Sequence, residues 1–112
     1  FSPRKYLMEY ISIDDLHNRI QNLGPDDLIL DVRTPEEFQA GHILGAQNTP
    51  HEEVLSIADH LKQYKTVYIH CKMGGRAKMA AKALQGTGLD NLVCVGDGGM
   101  ERWSAMGWAM EK

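Results

Sequence analysis

One short segment combines a cysteine with two basic residues and two glycines. Its residues are Cys71, Lys72, Met73, Gly74, Gly75 and Arg76. The segment follows the apolar run Val67-Tyr68-Ile69 and precedes an alanine-rich stretch, so we expect it to be a loop between a buried strand and a helix. Glycines allow such a loop to curl until several backbone N–H groups point inward and form an anion-binding concavity.

The surroundings of Cys71 predict a nucleophile. The positive end of the following helix, together with Lys72 and Arg76, would favour the thiolate, which is the reactive form of cysteine. We expect Cys71 to be an exposed thiolate that oxidises before Cys94. A buried, inert Cys71 is the alternative. His70 directly precedes Cys71 and is expected to point away from the pocket, because successive strand residues face opposite sides.

Cys94 and the two basic residues of the loop also have plainer interpretations. Cys94 lies within the apolar run Leu92 to Val95 and is predicted to fill the core. Lys72 could be a solvated lysine, and Arg76 could pair with a carboxylate instead of contacting a substrate.

Composition excludes several other classes of protein. The chain has 112 residues, and 12 basic against 15 acidic residues give a net charge of −3. A weakly acidic chain is poorly suited to nucleic acid or to an anionic membrane, and no apolar run approaches the ~18–20 residues of a membrane span. The two cysteines are too few for a disulfide scaffold, and no four-ligand zinc spacing occurs, so we expect neither metal nor cofactor.

The elements that must position the loop alternate along the chain. Short apolar runs at 28–30, 67–69 and 92–95 predict buried strands, and amphipathic segments between them predict helices. This alternation predicts a single α/β domain with a mainly parallel sheet of about five strands and helices on both faces. Ligands of such sheets bind beyond the carboxyl ends of the strands, which here are Asp31–Arg33 and His70–Arg76.

Helix boundaries follow from capping residues. Ser12 is expected to cap a first helix. Thr34-Pro35-Glu36-Glu37 combines a capping threonine, an early proline and a glutamate three residues after the cap, and Gly41 would end that helix. The segment Thr49-Pro50-His51-Glu52 predicts a second start of the same kind. Further helices are expected over 77–84 and 100–106.

Motifs along the chain resemble the signature of single-domain rhodaneses. The loop Cys71 to Arg76 is similar to the C-x-x-G-x-R active-site loop of that family. The upstream residues Asp31-Val32-Arg33, Glu37-Phe38, Gly41-His42-Ile43 and Gly45 to Pro50 resemble its D-V-R…E-[FY]…G-H-I-x-G-A-x-N-x-P pattern. The downstream segment Gly98 to Trp103 resembles its G-G-x-x-x-W element. The resemblance runs from about Tyr10 to Met110.

The resemblance implies a sulfurtransferase that moves sulfur through a Cys71 persulfide. Thiosulfate is the expected donor, and cyanide or a cellular thiol is the expected acceptor. Thioredoxin or another sulfur-accepting protein is a candidate partner. The backbone of 72–76 would hold the persulfide, while Lys72 and Arg76 attract the donor and Met73 forms an apolar contact at the pocket mouth.

The remaining motif residues are expected to support the site. Asp31 and Arg33 have the right types for a partly buried ion pair beside the pocket, and His42 resembles a position used for loop hydrogen bonding. We expect no catalytic role for Asp31 or Arg33. We also expect no metal ion at the site.

Two residues depart from the pattern of some thiosulfate-preferring relatives. Those relatives carry a second basic residue at the position of Met73 and an arginine at the position of Glu37. The reduced positive charge favours a protein persulfide or a larger thiol as the physiological donor.

Two other functions stay open. The chain could be a sulfur-carrier or protein-interaction module within a larger protein. It could also be a cysteine-dependent phosphatase or arsenate reductase, although such loops have five residues between cysteine and arginine, whereas four separate Cys71 from Arg76.

The domain and location of the chain are predicted as follows. We expect residues 1–9 to form an N-terminal extension and residues 10–112 the rhodanese-like domain.

A free reactive cysteine suits the reducing cytoplasm. A periplasmic location after removal of a signal peptide is the alternative, because the chain begins with Phe1 rather than methionine.

Overall fold

The computed structural model describes residues 8–112 of the chain. The predicted extension over 1–9 falls mostly on residues 1–7, which lie outside the described residues. Within the described part of the chain, no helix has both the length and the apolar character that crossing a bilayer requires.

Within the described residues, five parallel strands form one sheet in the order β1-β5-β4-β2-β3. This confirms the predicted sheet. β2, β4 and β5 correspond to the three apolar runs, whereas β1 and β3 lie at the edges and were not located by the sequence patterns. The strands are β1 (Glu9–Ser12), β2 (Asp27–Asp31), β3 (Gln47–Asn48), β4 (Thr66–His70) and β5 (Leu92–Asp97).

Of the five α-helices in residues 8–112, four connect strands and the fifth follows β5, and two short 3₁₀ helices extend α1 and α3. The α-helices are α1 (Ile13–Arg19), α2 (Pro35–Ala40), α3 (Ala58–Leu61), α4 (Gly75–Gln85) and α5 (Met100–Ala105). The 3₁₀ helices are Ile20–Asn22, after α1, and His51–Ile57, before α3. Ser12 caps α1 and Thr34 caps α2 as predicted, and each belongs to a reciprocal capping box that pairs two otherwise unsatisfied N–H groups.

The prediction that Thr49 caps a helix in the segment Thr49-Pro50-His51-Glu52 is wrong. The N–H of Thr49 donates to the carbonyl oxygen of Asp31 at 3.0 Å, which keeps Thr49 alongside β2. The following helix begins at His51 as a 3₁₀ helix and has no side-chain cap. Strand pairing therefore outweighs the capping tendency of this threonine.

The sheet buries a different cluster on each face. Leu28, Leu30 and Ile69 pack with α4 on one face, and Ile29 and Tyr68 pack with α1 and α5 on the other. This alternation is what a parallel sheet covered on both faces requires. The cysteine loop follows the carboxyl end of β4 and leads into α4.

Candidate active site

Cys71 lies at the base of the loop between β4 and α4. Its Sγ accepts hydrogen bonds from the N–H groups of Gly74 at 3.1 Å and Ala77 at 3.3 Å. Two backbone donors aimed at one sulfur favour negative charge on it. The residue is 1% exposed and belongs to the core cluster beneath α4. The prediction of an exposed thiolate is therefore wrong in its exposure, because the curled loop covers the side chain.

Cys94 is fully buried in β5, as predicted. Burial disfavours its charged form and raises the pKa of the thiol to about 11. At neutral pH the Cys94 thiol is therefore protonated.

Gly74 lets the loop pack against the backbone of β5. Its φ of +117° lies in the left-handed region, where residues with a side chain are strained. A Cβ at this position would also collide with the carbonyl oxygen of Gly96 in β5. Glycine is therefore required for the curl that directs the Gly74 N–H at Cys71.

The start of α5 holds the other side of the loop. The N–H of Met100 donates to the Cys71 carbonyl at 2.9 Å, and the N–H of Glu101 donates to the Lys72 carbonyl at 3.1 Å. A Cβ on the preceding Gly99 would collide with both of these carbonyl oxygens. These bonds satisfy N–H groups at the start of α5 and fix the carbonyl side of the loop away from the sulfur.

Arg76 is paired with a carboxylate. Its guanidinium donates two hydrogen bonds to Glu37 on α2, at 2.6 and 3.0 Å. Glu37 also accepts the N–H and hydroxyl of Thr34. The hydrogen bonds from Arg76 are the main cause that lowers the pKa of Glu37 to about 2, and the same pairing raises the pKa of Arg76. The sequence left open whether Arg76 contacts a substrate or pairs with a carboxylate, and the structure shows the pairing with a carboxylate.

Lys72 and Met73 lie on the solvent side of the loop. The Lys72 ammonium is 4.0 Å from a carboxylate oxygen of Glu101, and both side chains are more than half exposed. Met73 is 64% exposed at the turn of the loop. The side chains of Lys72 and Met73 are therefore both accessible to solvent, as the roles predicted for them from the sequence require.

Asp31 and Arg33 form the expected ion pair, and it is buried. Arg33 donates to both carboxylate oxygens of Asp31 at 2.7 to 3.0 Å, and to the carbonyl of Gly41 at 2.8 Å. Asn48 donates to the carbonyls of Asp31 and Arg33, which fixes β3 to the end of β2. This network positions the end of β2 and the Gly41 turn beside the site.

The two histidines near the motifs contact other parts of the protein. His42 stacks on Phe38, with a ring nitrogen 2.8 Å from the Phe38 carbonyl, and its other nitrogen lies 3.4 Å from Glu111. His70 is fully buried, and its register partner is Asp31. Burial is the main cause that lowers the pKa of His70. It shares a sheet face with Tyr68, two residues earlier, so it points away from Cys71, as predicted.

Sequence reasoning missed two contacts of the site. Glu37 was read as a capping residue, and its pairing with Arg76 was not predicted, because the two lie 39 positions apart. Glu101, next to Lys72, was not singled out. Glu37 follows the end of β2, and Arg76 follows the end of β4. A search for opposite charges near these neighbouring strand ends could have found the pair of Glu37 and Arg76.

Comparison with known proteins assigns the family. The family model described as Rhodanese-like domain matches residues 12–106. The chain is 35% identical over 75 residues to YqhL of Bacillus subtilis, an uncharacterized protein, and this match covers 67% of the chain and 59% of YqhL. It is 32% identical over 78 residues to the thiosulfate sulfurtransferase GlpE of Pseudomonas putida, which covers 70% of each chain.

The solved structures agree. A rhodanese-like domain protein from Staphylococcus aureus superposes with a TM-score of 0.75 at 32% identity, over 86% of this chain and 91% of that one. The matched sequence includes both strand ends and the cysteine loop. The chain belongs to the rhodanese-like domain family.

Proposed function

We propose that this domain is a sulfurtransferase that carries sulfane sulfur as a persulfide on Cys71. The observation that carries the proposal is the Cys71 Sγ, which accepts two backbone N–H groups at the end of a central strand. These donors stabilise a thiolate before the reaction and would stabilise a terminal persulfide anion after it. The sulfurtransferase name of the GlpE relative supports the same reaction class.

The first half-reaction loads the enzyme. The Cys71 thiolate attacks the outer sulfur of a donor such as thiosulfate, and a new S–S bond forms. The S–S bond inside thiosulfate breaks, and its electron pair leaves with sulfite. The total charge is unchanged, because a thiolate and a dianion become a persulfide anion and a dianion. In this proposal Lys72, which is exposed at the loop surface, assists the departing sulfite.

The second half-reaction unloads the enzyme. A thiolate or cyanide attacks the terminal sulfur of the persulfide, and a bond to the acceptor forms. The bond between this sulfur and Cys71 Sγ breaks, and its electron pair regenerates the thiolate. The products are an acceptor persulfide or thiocyanate.

The charges around the loop favour a physiological donor other than thiosulfate. Glu37 occupies both terminal nitrogens of Arg76, and Glu101 stands beside Lys72. Each cation of the loop thus has an acidic neighbour, which weakens the attraction for a dianion. A thiol persulfide, whether on a small molecule or a protein, carries less charge and meets less repulsion from these carboxylates.

A phosphatase or arsenate reductase fits this loop less well. Such chemistry needs the arginine directed at the oxyanion above the cysteine, whereas Arg76 is engaged by Glu37. The loop also has four residues between Cys71 and Arg76, which suits a sulfur atom better than a tetrahedral oxyanion. Hydrolysis of an aryl phosphate that depends on Cys71 would contradict the sulfurtransferase proposal.

Intact mass spectrometry tests the proposal. Incubation with thiosulfate should add about 32 Da, one sulfur atom, to the protein and to a Cys94→Ser control, and not to Cys71→Ser. Cyanide should then remove the added mass and release thiocyanate. An adduct that forms but is discharged neither by cyanide nor by a small thiol would favour the sulfur-carrier alternative. The absence of an adduct from both thiosulfate and a thiol persulfide would overturn the proposal.

A further inference from the structure

The segment after α5, residues 107–112, is joined to the turn that follows α2. The N–H of His42 donates to the Glu111 carbonyl at 2.9 Å, and the N–H of Glu111 donates to the His42 carbonyl at 2.9 Å. These two residues form an isolated antiparallel bridge. The N–H of Gly45 also donates to the Glu111 carboxylate at 3.2 Å. The contact between His42 and Glu111 therefore decides how firmly the segment is held to the turn.

The imidazole of His42 faces two hydrogen-bond acceptors. Its Nδ1 lies 2.8 Å from the carbonyl oxygen of Phe38, and its Nε2 lies 3.4 Å from Oε1 of Glu111. A neutral imidazole carries one N–H, so one of its nitrogens then directs a lone pair at an oxygen. Because the contact with Phe38 is the shorter one, the single proton belongs on Nδ1, and a bare Nε2 faces the carboxylate. The imidazolium has a proton on both nitrogens and satisfies both acceptors.

The charges around the ring favour a proton on Nε2. Among residues 8–112, His42 forms its ion pair with the Glu111 carboxylate. The Arg33 guanidinium donates to the carbonyl just before His42, but Asp31 offsets its charge at 2.7 Å. α2 faces the imidazole with an uncharged stacked ring. Lys112 follows Glu111 and is exposed, so solvent screens its charge. The side chain of His42 is 10% exposed, which makes its attraction to Glu111 stronger than that of a pair in water.

We propose that protonation of His42 controls how firmly the segment after α5 is held to the protein. A proton on Nε2 makes a charge-assisted hydrogen bond to Glu111, and its loss leaves two acceptors facing each other. The proton comes from water and returns to it, so no other reactant is needed. Since the protonated ring stabilises the contact, the stabilisation is present at acidic pH and is lost as the pH rises through the range, about 5 to 8, in which histidine ordinarily changes charge.

Met110 connects this contact to the surface beside the cysteine loop. Its sulfur lies 3.4 Å from the position that a Cβ on Gly41 would occupy. Together with Arg33 and Lys72, Met110 lines a groove between α2 and α5. Release of the segment would remove this wall of the groove, so the protonation state of His42 sets the width of the groove. The inference does not depend on the proposed sulfurtransferase function.

Hydrogen exchange of the His42 and Glu111 amides, measured by NMR, tests the proposal. After correction for the intrinsic exchange rate, both amides should be roughly three- to tenfold better protected at about pH 5.5 than at about pH 7.5, the effect of one charge-assisted hydrogen bond that is partly exposed. Nitrogen-15 NMR of the ring should show Nε2 gaining its proton over the same interval. Equal protection at both pH values, or a ring that stays neutral while protection changes, would overturn the proposal.

Glu111→Gln should remove the pH response without releasing the segment. The amide of glutamine accepts from a protonated Nε2 and donates to a bare one, so protection should change by less than about twofold with pH. The matched control is Glu52→Gln, which alters an exposed carboxylate 3.9 Å from another histidine, His51. This control should keep the full response. A full response in Glu111→Gln would contradict the proposal.

A second histidine contacts the same segment and needs its own control. His17 on α1 stacks on Trp108, with ring centroids 3.8 Å apart and planes 5° from parallel. His17→Phe keeps a ring against Trp108 but cannot bind a proton, and it should keep the pH response of the Glu111 amide. A response that disappears in His17→Phe would assign the effect to His17 and overturn the role of His42.

Discussion

Glu37 and Arg76 form a bidentate ion pair that joins α2 to the first turn of α4, with N···O distances of 2.6 and 3.0 Å. The pair fixes the arginine of the cysteine loop and offsets its charge at the same time. Glu37 does both because its Oε1 accepts from Thr34 and from Arg76, while its Oε2 accepts the second hydrogen bond from Arg76. One residue thus connects the start of a helix to the electrostatics of the site.

Replacing Glu37 by glutamine should improve the use of thiosulfate. Glutamine keeps the shape and a hydrogen bond to Arg76 but removes the negative charge, so the guanidinium attracts a dianion more strongly. We expect kcat/KM for thiosulfate to rise roughly three- to tenfold, with a steeper dependence on ionic strength. Persulfide formation at several salt concentrations measures both effects.

The matched control for this change is Glu36→Gln. Glu36 lies next to Glu37 on α2, is exposed, and has the same charge. It should leave the thiosulfate rate near that of the wild type. Equal gains in both variants would point to a general charge effect, and a loss in Glu37→Gln for every donor would mean that the pair acts by positioning the loop.

The same ion pair should make stability depend on pH in the acid range. Because the folded-state pKa of Glu37 is about 2 and its ordinary value is 4.5, the pair stabilises the fold fully above about pH 4.5. This contribution is lost as the pH falls toward 2. Since both side chains are partly exposed, we expect about 1–2 kcal/mol at neutral pH.

Urea unfolding of the wild type and Glu37→Gln from pH 7 to pH 2 measures this contribution. The difference in the free energy of unfolding should be constant down to about pH 4.5 and shrink below it. A difference that is unchanged at pH 2 would show that the substitution acts through packing.

Gly99→Ala should disturb the cysteine loop from a distance of almost thirty positions. The new Cβ would collide with the carbonyl oxygens of Cys71 and Lys72, and backbone atoms cannot move aside as a flexible side chain can. We expect a loss of about 2 kcal/mol or more in the free energy of unfolding, together with slower persulfide formation. Thermal unfolding and the loading rate with thiosulfate are the two measurements.

Gly24→Ala is the control for the added methyl group. Apart from its two neighbours in the chain, no residue has an atom within 4 Å of a Cβ at Gly24, and this glycine is remote from the loop. Its stability and loading rate should stay near the wild-type values. Wild-type behaviour of Gly99→Ala would mean that α5 does not hold the loop as described.

The sequence predicted best those features that local chemistry decides. The capping box of Thr34 and Glu37 and the apolar runs of the central strands need no distant partner to form. The turn after β4 was placed correctly for the same reason, since glycines and a strand end are adjacent in the chain. The alternation of elements then sufficed for the parallel sheet.

Features decided by distant contacts were missed. β3 has two residues, Gln47 and Asn48, and exists because β2 and the side chain of Asn48 hold it in place. Burial of Cys71 follows in part from the close approach of the loop to Gly96, which no local pattern encodes. The pairing of Arg76 with Glu37 likewise depends on how α2 and α4 meet above the sheet.

Removing one charge of the buried ion pair between Asp31 and Arg33 should reduce the free energy of unfolding more than replacing both residues with apolar ones. Asp31 is fully buried and Arg33 is 6% exposed, so Asp31→Asn leaves a guanidinium without its counter-charge inside the protein. We expect a loss of about 3–5 kcal/mol in the free energy of unfolding, measured in urea. The double variant Asp31→Leu with Arg33→Met removes both charges and should be clearly more stable than Asp31→Asn. If the double variant is the less stable of the two, the hydrogen bond from Arg33 to the Gly41 carbonyl outweighs the pairing of charges.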